Sequence, residues 1–252
     1  MNKMSSSRTS RQAAWLIAIS MLLILSAGCA GTQSRQTDPQ NDPWEGFNRK
    51  VHSFNMALDK GVARPIAKVY NTVIPKPVQS GVHNFFRNID YPVTFINQIL
   101  QGKFRQGGIS TGRFLINSTV GLLGLFDVAT RMGIPDFDED FGQTLAKWGY
   151  PHSRYLVLPL FGPSTFRDGI GQSIYSYVHP VSYVAREEHL YTPMVVDLIQ
   201  TRAAFLNQDD TLSDAYDSYT LVRDAWLQNR EFKIYDGNPP LVDYDDYLEE
   251  LD

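Results

Sequence analysis

Cysteine is nearly absent from this chain: among its 252 residues only Cys29 carries a thiol, so no disulfide can form within the molecule. A lone free thiol would be a liability in an oxidising compartment, so its position in the chain matters. Cys29 directly follows Ser26-Ala27-Gly28, a run of small residues at the end of an apolar segment. This position favours a chemically modified cysteine over a structural one.

The first 28 residues have the composition of an export signal. Three basic residues without an acid precede an apolar run from Trp15 to Leu25, which is too short for a stable membrane span. The cysteine that follows resembles the lipidated cysteine of bacterial lipoproteins, although Leu25 stands four places before it instead of the usual three. We therefore predict a cleaved signal at residues 1–28 and a lipid anchor on Cys29. Ala30 stands where an Asp would resemble an inner-membrane retention signal, so the resemblance implies the outer membrane.

The mature chain is poor in positive charge. The signal holds three of the 23 basic residues and none of the 27 acidic ones, which leaves a net charge of about −7 on the remainder. This balance argues against nucleic acid as a partner. It also argues against attraction to anionic head groups by bulk charge, so any lipid contact must be apolar.

Recognisable metal and cofactor motifs are missing as well. The five histidines show no metal-ligand spacing, and no nucleotide-binding glycine loop is present. The acidic run from Asp136 to Asp140 lacks the glycine and the distal glutamate of an EF-hand loop. We predict a solvated loop there, with Asp140 capping the next helix, and we predict neither a metal site nor a cofactor.

One stretch matches a catalytic motif in its spacing. Gly108-Ile109-Ser110-Thr111-Gly112 has the glycine and serine positions of the nucleophile elbow of serine hydrolases. That elbow requires a strand before the serine and a parallel sheet around it, and the polar residues 101–107 predict no strand. Close helix packing explains the small residues better. A membrane-anchored lipase that uses Ser110 remains the alternative, and no catalytic residue is predicted.

Helix signals dominate residues 42–235, which predicts a single all-α domain. After a helix start at Asp42-Pro43, apolar residues recur at three- and four-residue spacing: Trp44, Phe47, Val51, Phe54 and Leu58. Prolines and glycines predict breaks at residues 61–65 and 75–77, and a new helix that opens at Asp90-Pro92. Such apolar stripes either pack inward or lie in a membrane interface, and physical reasoning leaves both open.

The second half of the chain predicts one strand and three longer helices. Tyr155–Gly162 is the strand, with Pro159 limiting its pairing. Ser164 is the predicted cap of the helix that follows, and two more helices are predicted at 192–206 and at 210–230. The inward face of the first of these is predicted at Val195, Leu198, Ile199 and Phe205, and that of the last at Leu212, Tyr216, Tyr219, Val222 and Trp226. Residues 29–41 predict a flexible tether, and residues 236–252 an acidic disordered tail.

The stretch from Arg113 to Asp127 is the most distinctive in the chain. No charge falls between these two residues, and the run is shorter than the about 20 apolar residues that a membrane span needs. Gly121 and Gly124 enclose a leucine pair and predict a bend. Three structures fit: a buried helix, a buried hairpin, or an apolar hairpin that enters lipid. The candidate lipid-contacting or gating residues are Gly121, Leu122, Leu123, Gly124, Leu125 and Phe126.

Several longer stretches together carry a family resemblance. From Asp42 to about Gly237 the chain resembles the MlaA (VacJ) family of outer-membrane phospholipid-transport lipoproteins. The matching stretches are Asp42-Pro-Trp-Glu-Gly-Phe-Asn-Arg49, Arg113 to Ala129, Phe141-Gly-Gln-Thr-Leu145, Leu158-Pro-Leu-Phe-Gly-Pro-Ser-Thr-Phe-Arg-Asp168, and Asp217-Ser-Tyr219 with Val222 to Arg230.

The resemblance implies a specific fold and function. It implies an all-helical ring in the inner leaflet of the outer membrane, around a central amphipathic channel. Phospholipids misplaced in the outer leaflet would enter this channel and leave to a soluble periplasmic lipid carrier, which feeds an ATP-driven inner-membrane transporter. The protein would be a conduit and not an enzyme. Trimeric porins would hold the ring, with Tyr219 and Trp226 as possible porin-facing anchors, although core packing with Val222 is the other interpretation of these two residues. A purely structural lipoprotein is the second alternative function, beside the lipase.

Overall fold

The computed structural model describes residues 42–179 and 192–240. The predicted signal peptide, Cys29, the predicted tether and the tail beyond residue 240 lie outside the described residues. Within those ranges the chain is helical apart from one small hairpin and the connecting loops, so the predicted all-α class is confirmed. None of the helices described there is both long and apolar enough to cross a bilayer.

The described residues form ten α-helices and two strands, in this order: α1 Glu45–Leu58, α2 Arg64–Val73, α3 Lys76–Leu100, α4 Phe104–Thr119, α5 Val128–Arg131, α6 Phe141–Lys147, β1 Tyr155–Leu158, β2 Gly162–Thr165, α7 Phe166–Val178, α8 Thr192–Ala204, α9 Asp209–Asp214 and α10 Ser218–Ile234. A π-helical turn at Asp59–Ala63 joins α1 to α2, and a 3₁₀ turn at Leu206–Gln208 precedes α9. The longest helix, α3, packs against α4, and this pair carries the stretch that contains the candidate site.

Helix α3 runs straight through Pro92, so the predicted new helix at Asp90-Pro92 is wrong. Proline inside a helix loses one backbone hydrogen bond and costs about 3 kcal/mol. Packing along α4 on both sides of the proline offsets this cost. On the N-terminal side of Pro92, the Asn88 amide nitrogen donates to the Ser118 hydroxyl of α4 at 2.9 Å. On its C-terminal side, Gly107 of α4 lies so close to α3 that an added Cβ would stand 3.2 Å from the Ile99 side chain.

The predicted strand is correct at its start, but it is shorter than predicted and pairs with a second strand that was not predicted. β1 ends at Leu158, Pro159 lies in the turn, and β2 pairs back in antiparallel register from Tyr155↔Thr165 to Leu158↔Gly162. Sequence reasoning missed β2 because Gly-Pro-Ser-Thr has little intrinsic strand preference. Thr165 caps α7 in place of the predicted Ser164, since its hydroxyl accepts from the Asp168 amide.

The last predicted helix is two helices. α9 ends at Asp214, and α10 begins anew at Ser218, where the Asp217 carboxylate accepts from the amides of Tyr219 and Thr220. The predicted inward face is accordingly wrong at Tyr216, which lies between the helices and is 97% exposed. Capping of α10 by the Asp217 side chain is therefore favoured over continuation of α9.

The interior of the described part is largely polar, and its apolar stripes face outward. Among these residues 20 polar or charged side chains are buried, against 11 hydrophobic ones. Helix α1 buries Glu45, Asn48 and His52 together with Val51, whereas the other members of its predicted stripe are exposed: Trp44, Phe47, Phe54 and Leu58. Helix α8 likewise buries Gln200 and Ala203, whereas Val195 and Leu198, and Phe205 directly after the helix, are exposed although they were predicted to face inward. For these helices the inward alternative is wrong.

The acidic run at residues 136–140 ties several elements together. Each carboxylate has a cationic partner: Asp136 pairs with Arg87, Asp138 with Lys233, Glu139 with Lys103 and Asp140 with Arg230. The predicted cap is confirmed, since the Asp140 carboxylate accepts from the Gln143 amide at 2.9 Å. The predicted loop is present and partly exposed, but the sequence did not indicate its ion pairs, which fasten α3 and the start of α4 to the end of α10.

Candidate functional site

An apolar loop leaves the end of α4 and returns at α5. Its side chains Leu122, Leu123, Leu125 and Phe126 are all exposed, Leu123 to 68%. The stretch is therefore neither a buried helix nor a buried hairpin. Exposed side chains fit the third predicted structure, an apolar hairpin that enters lipid, and the contact with lipid stays a prediction.

The backbone of this loop is strained and held by hydrogen bonds. Leu122 and Leu123 have φ angles of 52° and 59°, in the left-handed region that leucine rarely adopts. Such strain costs roughly 1–3 kcal/mol per residue and persists only where the surroundings fix it. Here the Leu123 amide donates to Ser118 O at 3.0 Å, the Gly124 amide to Asn117 O at 2.8 Å, and the Phe126 amide to Gly121 O at 2.9 Å. The loop is thus a defined structure.

Both candidate glycines allow close approach of other groups. A Cβ at Gly121 would overlap the carbonyl oxygens of Phe126 and Asn117, and one at Gly124 would overlap the Asn88 side chain. Gly124 also has a φ of 93°, which proline cannot adopt. The predicted hinge role of these glycines stays a prediction, but close packing is a separate requirement for glycine at both positions.

Beneath the loop lies a polar neck formed by Arg113, Asn117 and Asp127. Arg113 is fully buried, and its Nη2 donates to both carboxylate oxygens of Asp127 at 3.0 Å. Its other contacts are Thr130 Oγ1 at 2.8 Å, the Tyr91 hydroxyl at 2.7 Å and the Ile134 carbonyl oxygen. One guanidinium therefore joins α3, α4 and both sides of α5.

Asn117 completes the neck on the side of the loop. Its amide nitrogen donates to Asp127 Oδ1 at 3.0 Å, and its oxygen accepts from the Ala129 amide at 2.9 Å. Partial burial alone would raise the pKa of Asp127, but hydrogen bonds from Thr130 and Asn117 and the charge of Arg113 outweigh it and hold the pKa below its usual range. Asp127 is thus a stable anion that fixes the point where the apolar loop ends.

A groove of about 750 Å³ runs between the loop and the first turns of α3. Leu125 and Phe126 form one wall, and Pro77, Val78 and Val82 form much of the other. Its volume lies within the range of ligand-binding clefts, and its walls offer mainly aliphatic and aromatic groups. The arrangement can hold an apolar chain beside the loop.

Ser110 lies in the middle of α4 with no exposed surface. Its hydroxyl has no hydrogen-bond partner among the described residues, and residues 42–109 contain no strand. The sequence of a nucleophile elbow is present without the geometry that exposes the serine to a substrate.

The two possible porin-facing residues lie in or against the small apolar core. Tyr219 is 2% exposed, packs with Val51, Tyr155 and Val157, and donates its hydroxyl hydrogen to Asp42. Burial and the bond to this carboxylate raise the pKa of Tyr219. Trp226 is half-buried against the Tyr155 ring, with ring centroids 6.1 Å apart. A porin contact through α10 stays a prediction, but the buried Tyr219 cannot be its surface anchor.

No cluster of three or more potential metal ligands occurs in residues 42–179 and 192–240. The site that the described chain does build is an apolar loop, an adjoining groove and a charged neck. Sequence reasoning found the loop and missed the neck, although Arg113 and Asp127 are the charges that bracket the uncharged stretch.

Comparison with known proteins assigns the chain to a family. A family model described as "MlaA lipoprotein" matches residues 40–233. The "Intermembrane phospholipid transport system lipoprotein MlaA" of Haemophilus influenzae is 34% identical over 91% of this chain and 95% of its own length. The protein of the same name in Escherichia coli is 32% identical over 94% of this chain and 98% of its own. A solved structure from work on the "structural basis for maintenance of bacterial outer membrane lipid asymmetry" matches with a TM-score of 0.69 and 33% identity, over 77% of this chain and 99% of that one. The chain therefore belongs to the MlaA lipoprotein family.

Proposed function

We propose that this protein removes misplaced phospholipids from the outer leaflet of the outer membrane and passes them to a periplasmic lipid carrier, which maintains lipid asymmetry. The observation that carries the proposal is the exposed apolar loop at residues 120–126, which backbone hydrogen bonds hold in a strained conformation above the neck. The names of the relatives support it, since they are called phospholipid transport lipoproteins.

The distribution of polar and apolar groups supports a body that lies in a leaflet. Helix α2 exposes Ile66, Val69 and Val73 along one side and buries Ala67 on the other. Transfer of a large apolar side chain out of water stabilises the system by about 1.5–3 kcal/mol, so exposed stripes of this kind favour residence in lipid. The polar interior suits the other half of the proposal, a ring around an amphipathic channel through which the head group passes.

In this mechanism the loop and the groove handle acyl chains. Leu122 and Leu123 contact the lipid chains around the protein, and the groove lined by Leu125 and Phe126 offers a path beside them. The neck of Arg113 and Asp127 keeps the loop at a fixed height above α3 and α4. Gly121 and Gly124 are the positions at which we propose that the loop moves as a gate.

No covalent bond of the lipid changes in this function, so the protein acts as a conduit and not as an enzyme. The burial of Ser110 supports this part of the proposal. We further propose a lipid anchor at Cys29, location on the periplasmic face of the outer membrane, a trimeric porin as the holding partner, and a soluble carrier that feeds an ATP-driven inner-membrane transporter.

The test is the Leu123→Asp variant, compared with Tyr216→Asp. Both side chains are exposed, but only Leu123 belongs to the loop. A charge in the bilayer centre costs about 2.5–3.5 kcal/mol on insertion scales, so the aspartate would push the loop from lipid. In cells that depend on the variant, we expect Leu123→Asp to accumulate phospholipid at the cell surface with a near-normal melting temperature, and Tyr216→Asp to behave as wild type. Normal lipid asymmetry in Leu123→Asp would refute the role of the loop.

A second measurement separates the conduit from a purely structural lipoprotein. A photoreactive phospholipid should crosslink to the groove residues Val82 and Leu125 in the purified protein. Absence of any crosslink inside the protein, with normal crosslinking to its outer surface, would favour the structural alternative.

A further inference from the structure

The turn between β1 and β2 resembles the 120–126 loop in its backbone conformation and in its exposed apolar side chains. Its residues Leu160 and Phe161 are 63% and 72% exposed, and Leu160 has a φ of 70°. Three of the four non-glycine residues with positive φ in the described ranges are leucines, and all three lie in these two loops. A left-handed leucine is unfavourable and persists only where its surroundings hold it. Both loops therefore combine a strained leucine backbone with exposed leucine and phenylalanine side chains.

Helix α1 holds this second turn through two asparagines on one face. The Asn55 amide nitrogen donates to Leu158 O at 3.0 Å, and its oxygen accepts from the Leu160 amide at 2.8 Å. Seven residues earlier Asn48 does the same to β1, with bonds of 3.2 Å to Tyr155 O and 2.9 Å from the Val157 amide. These side chains supply the hydrogen bonds that a third strand would supply. The hairpin is thus fixed to the body, and its apolar tip is preorganised.

The charge pattern around the tip also matches the first loop. No charged residue falls between Arg154 and Arg167, as none falls between Arg113 and Asp127. At the base of the hairpin the Arg154 guanidinium lies 6.0 Å from the centre of the Trp44 ring. Arginine and tryptophan combine an apolar body with a polar end, and both are typical of the boundary between lipid and water.

The strands of the hairpin are buried at Tyr155, Val157 and Thr165, so the large apolar groups that it exposes are those of its tip. Interfacial elements bury their apolar groups about 5–10 Å into the region of head groups and acyl chains. A tip with two large, exposed apolar side chains and no charge suits this shallow depth.

We propose that the Leu160–Phe161 turn is a second lipid-inserting element, which enters the acyl chains while Trp44 and Arg154 stay at the head groups. This inference rests on the proposed function, because it requires that the body lie against a bilayer. The first loop contacts α3 and the second contacts α1, so the two insertions involve different parts of the fold. The body would then contact the acyl chains through two separate loops.

Spin labels at single cysteines test this inference. The mature, anchored protein is placed in bilayer nanodiscs of phosphatidylethanolamine and phosphatidylglycerol without a protein partner, and labelled as Phe161→Cys, Leu123→Cys or Tyr216→Cys. Cys29 is the only native cysteine, and the parent protein without an added cysteine corrects for any label there. Collision rates with oxygen, which concentrates in lipid, and with a water-soluble nickel chelate give the depth, calibrated with nitroxide-labelled phospholipids.

We expect the oxygen-to-nickel ratio at Phe161→Cys to be several-fold above that at Tyr216→Cys and within the range of the acyl-chain labels. A lipid signal at Leu123→Cys with a water signal at Phe161→Cys would overturn this inference and leave the proposed function intact. In that case the tip would face water or await a protein partner. Water signals at both positions would overturn the inference and the lipid-facing loop together.

Discussion

Removal of the Asp127 carboxylate should destabilise the protein because it leaves the Arg113 guanidinium buried without its main counter-charge. Arg113 is fully buried and loses two contacts of 3.0 Å in the Asp127→Ala variant. Loss of one partner of a buried ion pair typically costs about 3–5 kcal/mol. Asp136 remains near Arg113, with 3.5 Å between its carboxylate and Nε, and Asp127 is partly exposed. Both facts favour the lower end of that range, about 3 kcal/mol.

The matched control is Asp138→Ala. Asp138 pairs with Lys233 at 2.7 Å, but both side chains are well exposed. An exposed ion pair contributes at most about 1 kcal/mol. For a domain of this size each kcal/mol shifts the melting temperature by about 2–4 °C, so Asp127→Ala should melt about 6–12 °C below wild type and the control within about 4 °C of it. Thermal melts of the purified mature proteins in the same detergent measure both.

The pH dependence gives an independent check. The pKa of Asp127 is lower in the folded protein than its ordinary value of 3.8, so its contribution is present above that pH. The contribution is lost as the pH falls through the folded pKa. The Asp127→Asn variant should therefore lose less stability than wild type between pH 5 and pH 2. If Asp127→Ala melts like Asp138→Ala, or if Asp127→Asn and wild type lose stability in parallel on acidification, then the ionic neck does not hold the loop.

Three further predictions concern other positions. Cys29→Ala should abolish acylation, and normal processing with outer-membrane fractionation of this variant would contradict the proposed anchor. Ser110→Ala should leave lipid transport intact and melt close to wild type, because it removes a buried hydroxyl that has no partner; loss of a phospholipase activity with this change would favour the lipase. Gly124→Ala should lower the melting temperature and impair transport, because Gly124 has a φ of 93° and an added Cβ would overlap the Asn88 side chain. Its control is Gly108→Ala at an exposed helical position, which should be neutral or stabilise the protein by up to about 1 kcal/mol. Equal melting of the two glycine variants would show that the loop accommodates a side chain.

Local signals predicted the helical class and the candidate loop. The Asp140 cap and the uncharged run that ends at Asp127 can both be read within a few residues of chain. The continuity of α3 through Pro92 could not, because the packing of α4 that offsets the lost hydrogen bond comes from a distant part of the sequence. β2 was missed for a related reason, since its pairing with β1 depends on adjacency and not on its own composition.

The direction in which side chains face was the least predictable property. A stripe such as Trp44, Phe47 and Phe54 has the same spacing whether it meets a protein core or a membrane. The choice depends on the solvent, which the periodicity of a sequence does not encode. The neck was missed because Arg113 and Asp127 are brought together only by the left-handed turn at Leu122 and Leu123.

The outward-facing stripes also bear on how the protein reaches its place. Exported as proposed, the folded chain must cross an aqueous compartment before any lipid covers Phe54, Val69 or Leu123. Contiguous apolar surface in water promotes association between molecules, so a free chain would aggregate during transit. An escort that shields only the acyl chains on Cys29 would leave this surface uncovered. The delivery route must therefore shelter the helices as well as the anchor until the protein meets the membrane.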